Sequence, residues 1–419
     1  MFRQAELEHF IRQGEKTLSP VFTGRDAILE DLLEVASESW EIANHQLPGA
    51  TRILQGAPGA GKSAILATLQ ARALSSSRTP SPRVLILGSG TITGPADILF
   101  PLARLVNPEA APAFLARCSR TRTLEGSARL MGTGAAGRIE TTRTHAGPES
   151  TLAAFRDWAR ELPPGAGITA PLIIAIDEAQ RFGRDPEDPL AKLFRSLHDS
   201  NVALPLTLVL AGLSETADRA AAMGLTRGLT RHPVGALPER DVAALMPAWC
   251  VHFGLDPRGH DERLLRLAAP CEGWPRHLHF ALQALGRAAL GAEGDPARVD
   301  WAEIEDEAAA SRIRYYQDQQ SPAMRESVAL VAAVLRELAP GARRADVIDG
   351  IDRHAGARPG RGRCLPRAMD AEEMTDHLIH QGALQEMPDG TITTPIPSFQ
   401  THLVAAGRPG GGAGSGEVL

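Results

Sequence analysis

The sequence predicts an α/β protein: a parallel sheet covered by helices, then an all-helical segment and a small C-terminal module. Three observations lead there. Short, nearly continuous apolar runs, "TRILQGA", "RVLILGSG", "APLIIAID" and "LPLTLVLAGLS", alternate with stretches of helical periodicity, as in a parallel sheet buried on both faces. After "LPERD" the strand signals cease and helices alone continue to about Asp318. The chain, at 419 residues, is too long for one ordinary compact domain.

Taken in order, residues 1–46 read as an acidic helical segment interrupted by "LSPVFTGRDAIL". Residues 47–238 form the sheet-bearing core. There "KSAILATLQARAL", "DILFPLARLV", "TLAAFRDWAREL" and "DPLAKLFRSLHDS" are helices between the strands, and "HPVGAL" is a short fifth strand. Within this core, about 117–150 has no periodicity and is rich in Gly, Thr and Arg, so an irregular insertion is expected. Helices fill 239–320. Residues 321–406 show a stripe at Val328, Val331, Leu335 and Leu338, a second helix in "ARRADVIDGIDRH", and a third from Asp370 to Gly382. Asp370 with Glu373 three residues on makes a capping box. "ALQEM", "PDG" and "TITT" then read as a hairpin, and three helices followed by a hairpin make a winged helix. The Gly-rich segment 407–419 is a flexible tail.

Composition narrows the function classes. The net charge of -6 gives no overall pull toward nucleic acid. Of 44 basic residues only Lys16, Lys62 and Lys192 are lysine, so arginine clusters carry less information than usual. Four cysteines without metal-ligand spacing read as free thiols in a reducing cytoplasm. The charged N-terminus lacks the apolar core of a signal peptide, and the longest apolar runs are strand-sized.

Chemistry is concentrated in "QGAPGAGKSAIL". Gly56, Gly61, Lys62 and Ser63 match G-x-x-x-x-G-K-[ST], between a strand and a helix as required. The loop Gly56, Ala57, Pro58, Gly59, Ala60, Gly61, Lys62, Ser63 and Ala64 turns backbone N–H groups toward a phosphate, and the following helix adds its positive end. Lys62 reaches the outer phosphates of ATP, and Ser63 holds Mg²⁺. In "LIIAIDEAQ" the strand delivers Asp177 for Mg²⁺ and Glu178 to polarise an attacking water. This is the donor set of ATP hydrolysis.

With these motifs the chain resembles the AAA+ ATPases, in the group that contains origin-recognition-type initiators, transposition-helper ATPases and STAND-type signalling ATPases. The resemblance covers roughly residues 20–290. It implies a P-loop ATPase parallel sheet, an all-α lid and a C-terminal winged helix. "VFTGRDAILEDL" is similar to the group's adenine-side segment, with Phe22, Gly24 and Arg25 as the matching residues. Ser214 in "AGLSET" matches the γ-phosphate sensor. "GLTRGLTRHPVGALPERDV" resembles the arginine-finger box, with Arg227 the best match and Arg231 its rival. "CEGWPRHLHFAL" resembles the G-x-P-R lid motif, which makes Arg276 the second sensor. A finger acting in a neighbour's site implies self-association on ATP binding.

The winged helix leaves two outcomes open. Its third helix carries Asp370, Glu372, Glu373 and Asp376 and no Lys or Arg, which is costly in a DNA groove. Arg353, Arg358, Arg361, Arg363 and Arg367 lie in a nearby loop that offers a phosphate-backbone grip. Arg117, Arg120, Arg122, Arg129, Arg138 and Arg143 in the insertion offer a second. Double-stranded DNA and a protein partner therefore both stand as expectations: a DNA-associated ATPase, or a STAND-like switch with slow hydrolysis that recruits a protein.

Overall fold

The computed structural model describes residues 2–13, 19–42, 50–118, 148–183, 185–198, 204–226, 228–356, 369–387 and 389–407. They fall into two compact units. One comprises residues 27–55 and 65–232; the other comprises 1–26, 56–64 and 233–419.

The first unit is the sheet. Its strands are β1 (Ala50–Gln55), β2 (Arg83–Gly88), β3 (Leu172–Asp177), β4 (Leu206–Gly212) and β5 (Leu229–Pro233), in the order β2-β3-β4-β1-β5. β1 pairs with β4, β4 with β3, and β3 with β2, all in parallel. Every residue of β4 is buried, as is β3 up to Ile176, which explains why their apolar runs are unbroken rather than alternating. The registers Gln55↔Gly212 and Gly88↔Asp177 bring the strand ends to one carboxyl edge.

Helices α2 (Asp26–Ile42), α3 (Lys62–Leu74), α4 (Ala96–Val106), α5 (Pro148–Glu161), α6 (Pro189–His198) and α7 (Thr216–Ala222) accompany these strands, all but α2 lying between them in the chain. Ile174, Ile176, Leu208 and Leu210 join Phe114, Phe155 and Trp158 in the core, where Phe114 meets Phe155 edge-on at 5.6 Å. The fifth strand starts three residues earlier than the expected "HPVGAL". Its side chains are mostly exposed, so it lacks the apolar run that marks the others. Of the insertion expected at about 117–150, Arg117 and Cys118 end a helical stretch and 148–150 open α5; the rest lies outside the described residues.

In the second unit, α1 (Gln4–Gln13) packs with α8 (Glu239–His252), α9 (Asp261–Ala268), α10 (Pro275–Gly291) and α11 (Trp301–Gln319). Trp249, Phe253 and Phe10 form an aromatic centre, with rings 4.7 and 5.8 Å apart. α1 crosses α10 at Gly286, where a Cβ would lie 3.0 Å from Leu7.

The C-terminal module contains α12 (Pro322–Glu326), α13 (Val328–Glu337), α14 (Arg344–Gly356), α15 (Ala371–His380), strands β6 (Gln385–Glu386) and β7 (Ile392–Thr393), and α16 (Pro397–Ala406). In α13 the buried stripe is Leu330, Val331, Val334 and Leu335, with Val328 and Leu338 half-buried at its ends. β6 and β7 are antiparallel, as the hairpin reading requires. α16 is an addition to that reading. It buries only Phe399 and Leu403, too sparse a pattern to stand out in sequence. No described helix is long and apolar enough to cross a membrane.

Candidate functional site

The loop Gly56–Ala64 belongs to the second unit. Its glycines answer to specific constraints. Gly59 and Gly61 have φ of 81° and 94°, a region that L side chains disfavour. A Cβ on Gly56 would sit 2.1 Å from the Val234 carbonyl oxygen, so no other residue fits. Ala57 and Ala60 are buried, and the Ala60 amide donates to the Ala57 carbonyl at 3.2 Å. Lys62 donates through Nζ to the Gly56 and Ala57 carbonyls at 2.7 and 3.0 Å. Lys62, exposed Ser63 and Ala64 form the first turn of α3, where the positive end of the helix dipole favours an anion.

The acidic strand end belongs to the sheet unit. Asp177 closes β3, and Glu178 takes a left-handed backbone, φ 55° and ψ 37°. Three contacts hold it there. The Glu178 amide donates to Asp177 Oδ1 at 2.9 Å. Ser89 Oγ donates to the Glu178 carbonyl at 2.9 Å. The Glu178 carboxylate meets Arg181 Nη2 at 2.9 Å. Gln55 stands at the same carboxyl edge.

No protein-family model matches the chain, and no curated protein matches it in sequence. Solved structures do match. The ORC2 protein of Aeropyrum pernix, solved as ADPNP–ADP complexes, superposes with a TM-score of 0.55 at 12% identity, covering 95% of this chain and 96% of that one. The ADP form of that protein gives 0.52 at 12% identity, covering 95% and 98%. The chain shares the fold of that ORC2 protein.

Within this fold the other singled-out residues are placed as follows. The segment containing half-buried Phe22 is fastened to residues 235–241. Arg25 donates to the Gly235 carbonyl; burial lowers its pKa, and Asp241 opposes that. Gly24 (φ 75°) lies against Asp241, whose carboxylate would be 2.7 Å from a Cβ there. Arg276 reaches the phosphate loop directly. Its amide donates to the Gly59 carbonyl at 3.2 Å, and its guanidinium lies 5.4 Å over the Phe280 ring. Gly273, at φ 69°, is required because a Cβ would strike the Leu237 carbonyl at 2.3 Å.

Ser214 lies half-buried two residues past β4. Arg231 is exposed on β5, while Arg227 lies outside the described residues. Next to Arg231, His232 bonds Asp31 at 2.9 Å, and Asp31 also holds Arg52 at 2.8 Å. Arg353 pairs with Glu337 at 3.1 Å. Arg358, Arg361, Arg363 and Arg367 lie outside the described residues, as do Arg120, Arg122, Arg129, Arg138 and Arg143. Arg117 pairs with Glu161.

Sequence reasoning missed several contributors. Trp274 Nε1 and Tyr315 Oη each lie 3.0 Å from where a Cβ of Gly59 would stand, and Tyr315 donates to the Pro58 carbonyl at 3.1 Å. Gln180 and Thr216 crowd Gly212 at the end of β4: a Cβ would meet their side-chain oxygens at 2.6 and 2.1 Å. The signal for Gly212 was present, a glycine closing the apolar run "LVLAG". Tyr315 gave none, being 257 residues from its partner.

Proposed function

We propose that this chain binds ATP with Mg²⁺ in the loop Gly56–Ala64 and hydrolyses it, and that the nucleotide cycle controls its self-association and its hold on double-stranded DNA. The observation that carries the reading is the loop conformation. Two left-handed glycines and Lys62–Ser63 at the start of α3 make an anion cradle. The ADPNP and ADP named for the fold neighbour support the same ligand class.

In this reading Lys62 exchanges the Gly56 and Ala57 carbonyls for the outer phosphates. Ser63 and Asp177 would hold Mg²⁺, which would supply charge neutralisation on the phosphate oxygens. Glu178 accepts a proton from water as its oxygen forms a bond to the γ-phosphorus and the bond to the β,γ-bridging oxygen breaks. Ser214 and Arg276 contact the γ-phosphate, Phe22 and Arg25 line the adenine side, and Arg227 or Arg231 completes a neighbour's site. We place the action in the cytoplasm: Cys118, Cys250 and Cys271 are buried and form no disulfide.

DNA would be gripped by Arg353, Arg358, Arg361, Arg363 and Arg367. A second reading, a switch that recruits a protein partner through its C-terminal module, is favoured by α15. Its Asp370 and Glu373 serve the helix cap and Asp376 pairs with Arg344, so this helix presents no cation from Lys or Arg.

The test is the ATPase rate of wild type and Glu178→Gln, with and without double-stranded DNA at low salt. The expected result is a wild-type rate raised by DNA and lowered about a hundredfold in Glu178→Gln. A DNA response that fades steeply with added salt supports the backbone grip. A slow rate indifferent to DNA favours the switch, and no turnover under any condition overturns hydrolysis.

A further inference from the structure

Tyr315 and Tyr316 are neighbours near the end of α11, and their hydroxyls bond different partners. Tyr315 donates to the Pro58 carbonyl in the phosphate loop at 3.1 Å. Tyr316 bonds Ser398 Oγ at 2.6 Å, in the first turn of α16. The Ser398 hydroxyl and amide both donate to Glu272 Oε2, at 2.7 and 3.0 Å. This is a continuous chain of hydroxyl to hydroxyl to carboxylate, in which each bond polarises the next. Burial raises the Tyr316 pKa to about 12, so its proton stays available for the chain.

The two ends close on adjacent loop residues, Gly59 and Pro58. Glu272 directly precedes Gly273, and Arg276 four residues on donates its amide to the Gly59 carbonyl at 3.2 Å. Tyr315 holds the carbonyl of Pro58. The Tyr316 ring also stacks on Phe399 at 5.2 Å with planes 23° apart, and it lies 5.4 Å from His402. One face of α16 therefore rests on Tyr316. A third contact comes from the end of α15. Gly382, at φ 76°, lies so close to the loop that a Cβ would be 2.5 Å from Pro58 Cδ. The C-terminal module thus touches the phosphate loop at Pro58 and is tied to it a second time through the two tyrosines.

We propose that Tyr315 is a positioning residue of the phosphate loop, and that Tyr316, through Ser398 and Glu272, makes the seating of the C-terminal module answer to the nucleotide bound there. This rests on the ATP reading above. A phosphate that draws the Pro58–Gly59 backbone toward itself pulls on the Tyr315 hydroxyl. Adjacent residues of one helix move together, so the displacement reaches Tyr316 and loosens or tightens its hold on α16. The two discrete states are α16 seated on Tyr316 and Glu272, and α16 released.

The test is hydrogen exchange of residues 397–406 in the full chain, with ADP, with ADPNP and without nucleotide. The variants are Tyr315→Phe, Tyr316→Phe and Ser398→Ala, each removing one hydroxyl, and ADPNP affinity is measured in parallel. In wild type the exchange of 397–406 should differ between ADP and ADPNP. Tyr316→Phe and Ser398→Ala should bind ADPNP like wild type yet exchange 397–406 quickly with either nucleotide. Tyr315→Phe should weaken ADPNP binding about fivefold, the worth of one hydrogen bond, and abolish the nucleotide dependence. A wild type that binds ADPNP but exchanges 397–406 equally with both nucleotides overturns the coupling alone. So does a nucleotide dependence that survives in Tyr316→Phe. A wild type that binds no nucleotide overturns the ATP reading as well.

Discussion

The phosphate loop and the C-terminal module are built by different means. In the loop, backbone requirements select the residues. Gly56 has no room for a Cβ, and Gly59 and Gly61 hold left-handed angles. In the module, burial does the selecting. Val331, Leu335, Val347, Met374, Leu378 and Phe399 need only be apolar and of suitable size. A motif that obeys backbone geometry is written in fixed letters, whereas a core obeys volume and many sequences satisfy it. The loop therefore announces its chemistry and the module announces only its shape.

Substitutions can break this contrast. The largest effect is expected for Gly56→Ala, because the new methyl group meets a backbone carbonyl at 2.1 Å and neither can rotate away. Stability should fall by about 3 kcal/mol, read from the urea midpoint, with ATP binding lost. In the module, Leu335→Ala removes a fully buried side chain. The expected cost is about 2–4 kcal/mol, with hydrogen exchange confining the loss to residues 321–407.

A third prediction concerns pH. Burial, with Arg312 adding to it, lowers the His277 pKa to about 3, whereas an exposed histidine titrates near 6.5. The unfolded chain therefore takes up the proton first. Stability is whole above about pH 6.5 and is lost as pH falls toward 3, by up to about 1.4 kcal/mol per unit. Denaturation curves across this range should show that slope in wild type and a shallower one in His277→Phe. The smallest effect is expected at the α15 cap, where Asp370 Oδ1 accepts from the Glu373 amide at 2.8 Å. Asp370→Ala should cost about 1 kcal/mol in a thermal melt, with Asp370→Asn costing less.

Much of the fold was legible for the same physical reason. β3 and β4 are buried on both faces, so their runs are continuous, and α3 follows the loop in the expected bounds, Lys62–Leu74. The capping box of Asp370 and Glu373 is local, and it forms as read. Other features depend on residues far apart in the chain. β5 is mostly exposed and carries no apolar signature. α16 buries two residues and begins at a proline that reads as a loop. The left-handed backbone of Glu178 depends on Ser89, which directly follows the neighbouring strand β2. Of the loop's surroundings, Arg276 was legible because it sits in a motif. Trp274, Tyr315 and Gly382 reach the loop only through tertiary packing.

The most direct test is a calorimetric titration of ATP with Mg²⁺ into the wild type, Lys62→Ala and Glu178→Gln. Saturable binding is predicted for wild type and Glu178→Gln. Lys62→Ala should bind at least about tenfold more weakly, the worth of a charged hydrogen bond to phosphate. A wild type that takes up no ATP, or a Lys62→Ala chain that binds as tightly as wild type, would contradict the assignment of Gly56–Ala64 as the nucleotide site.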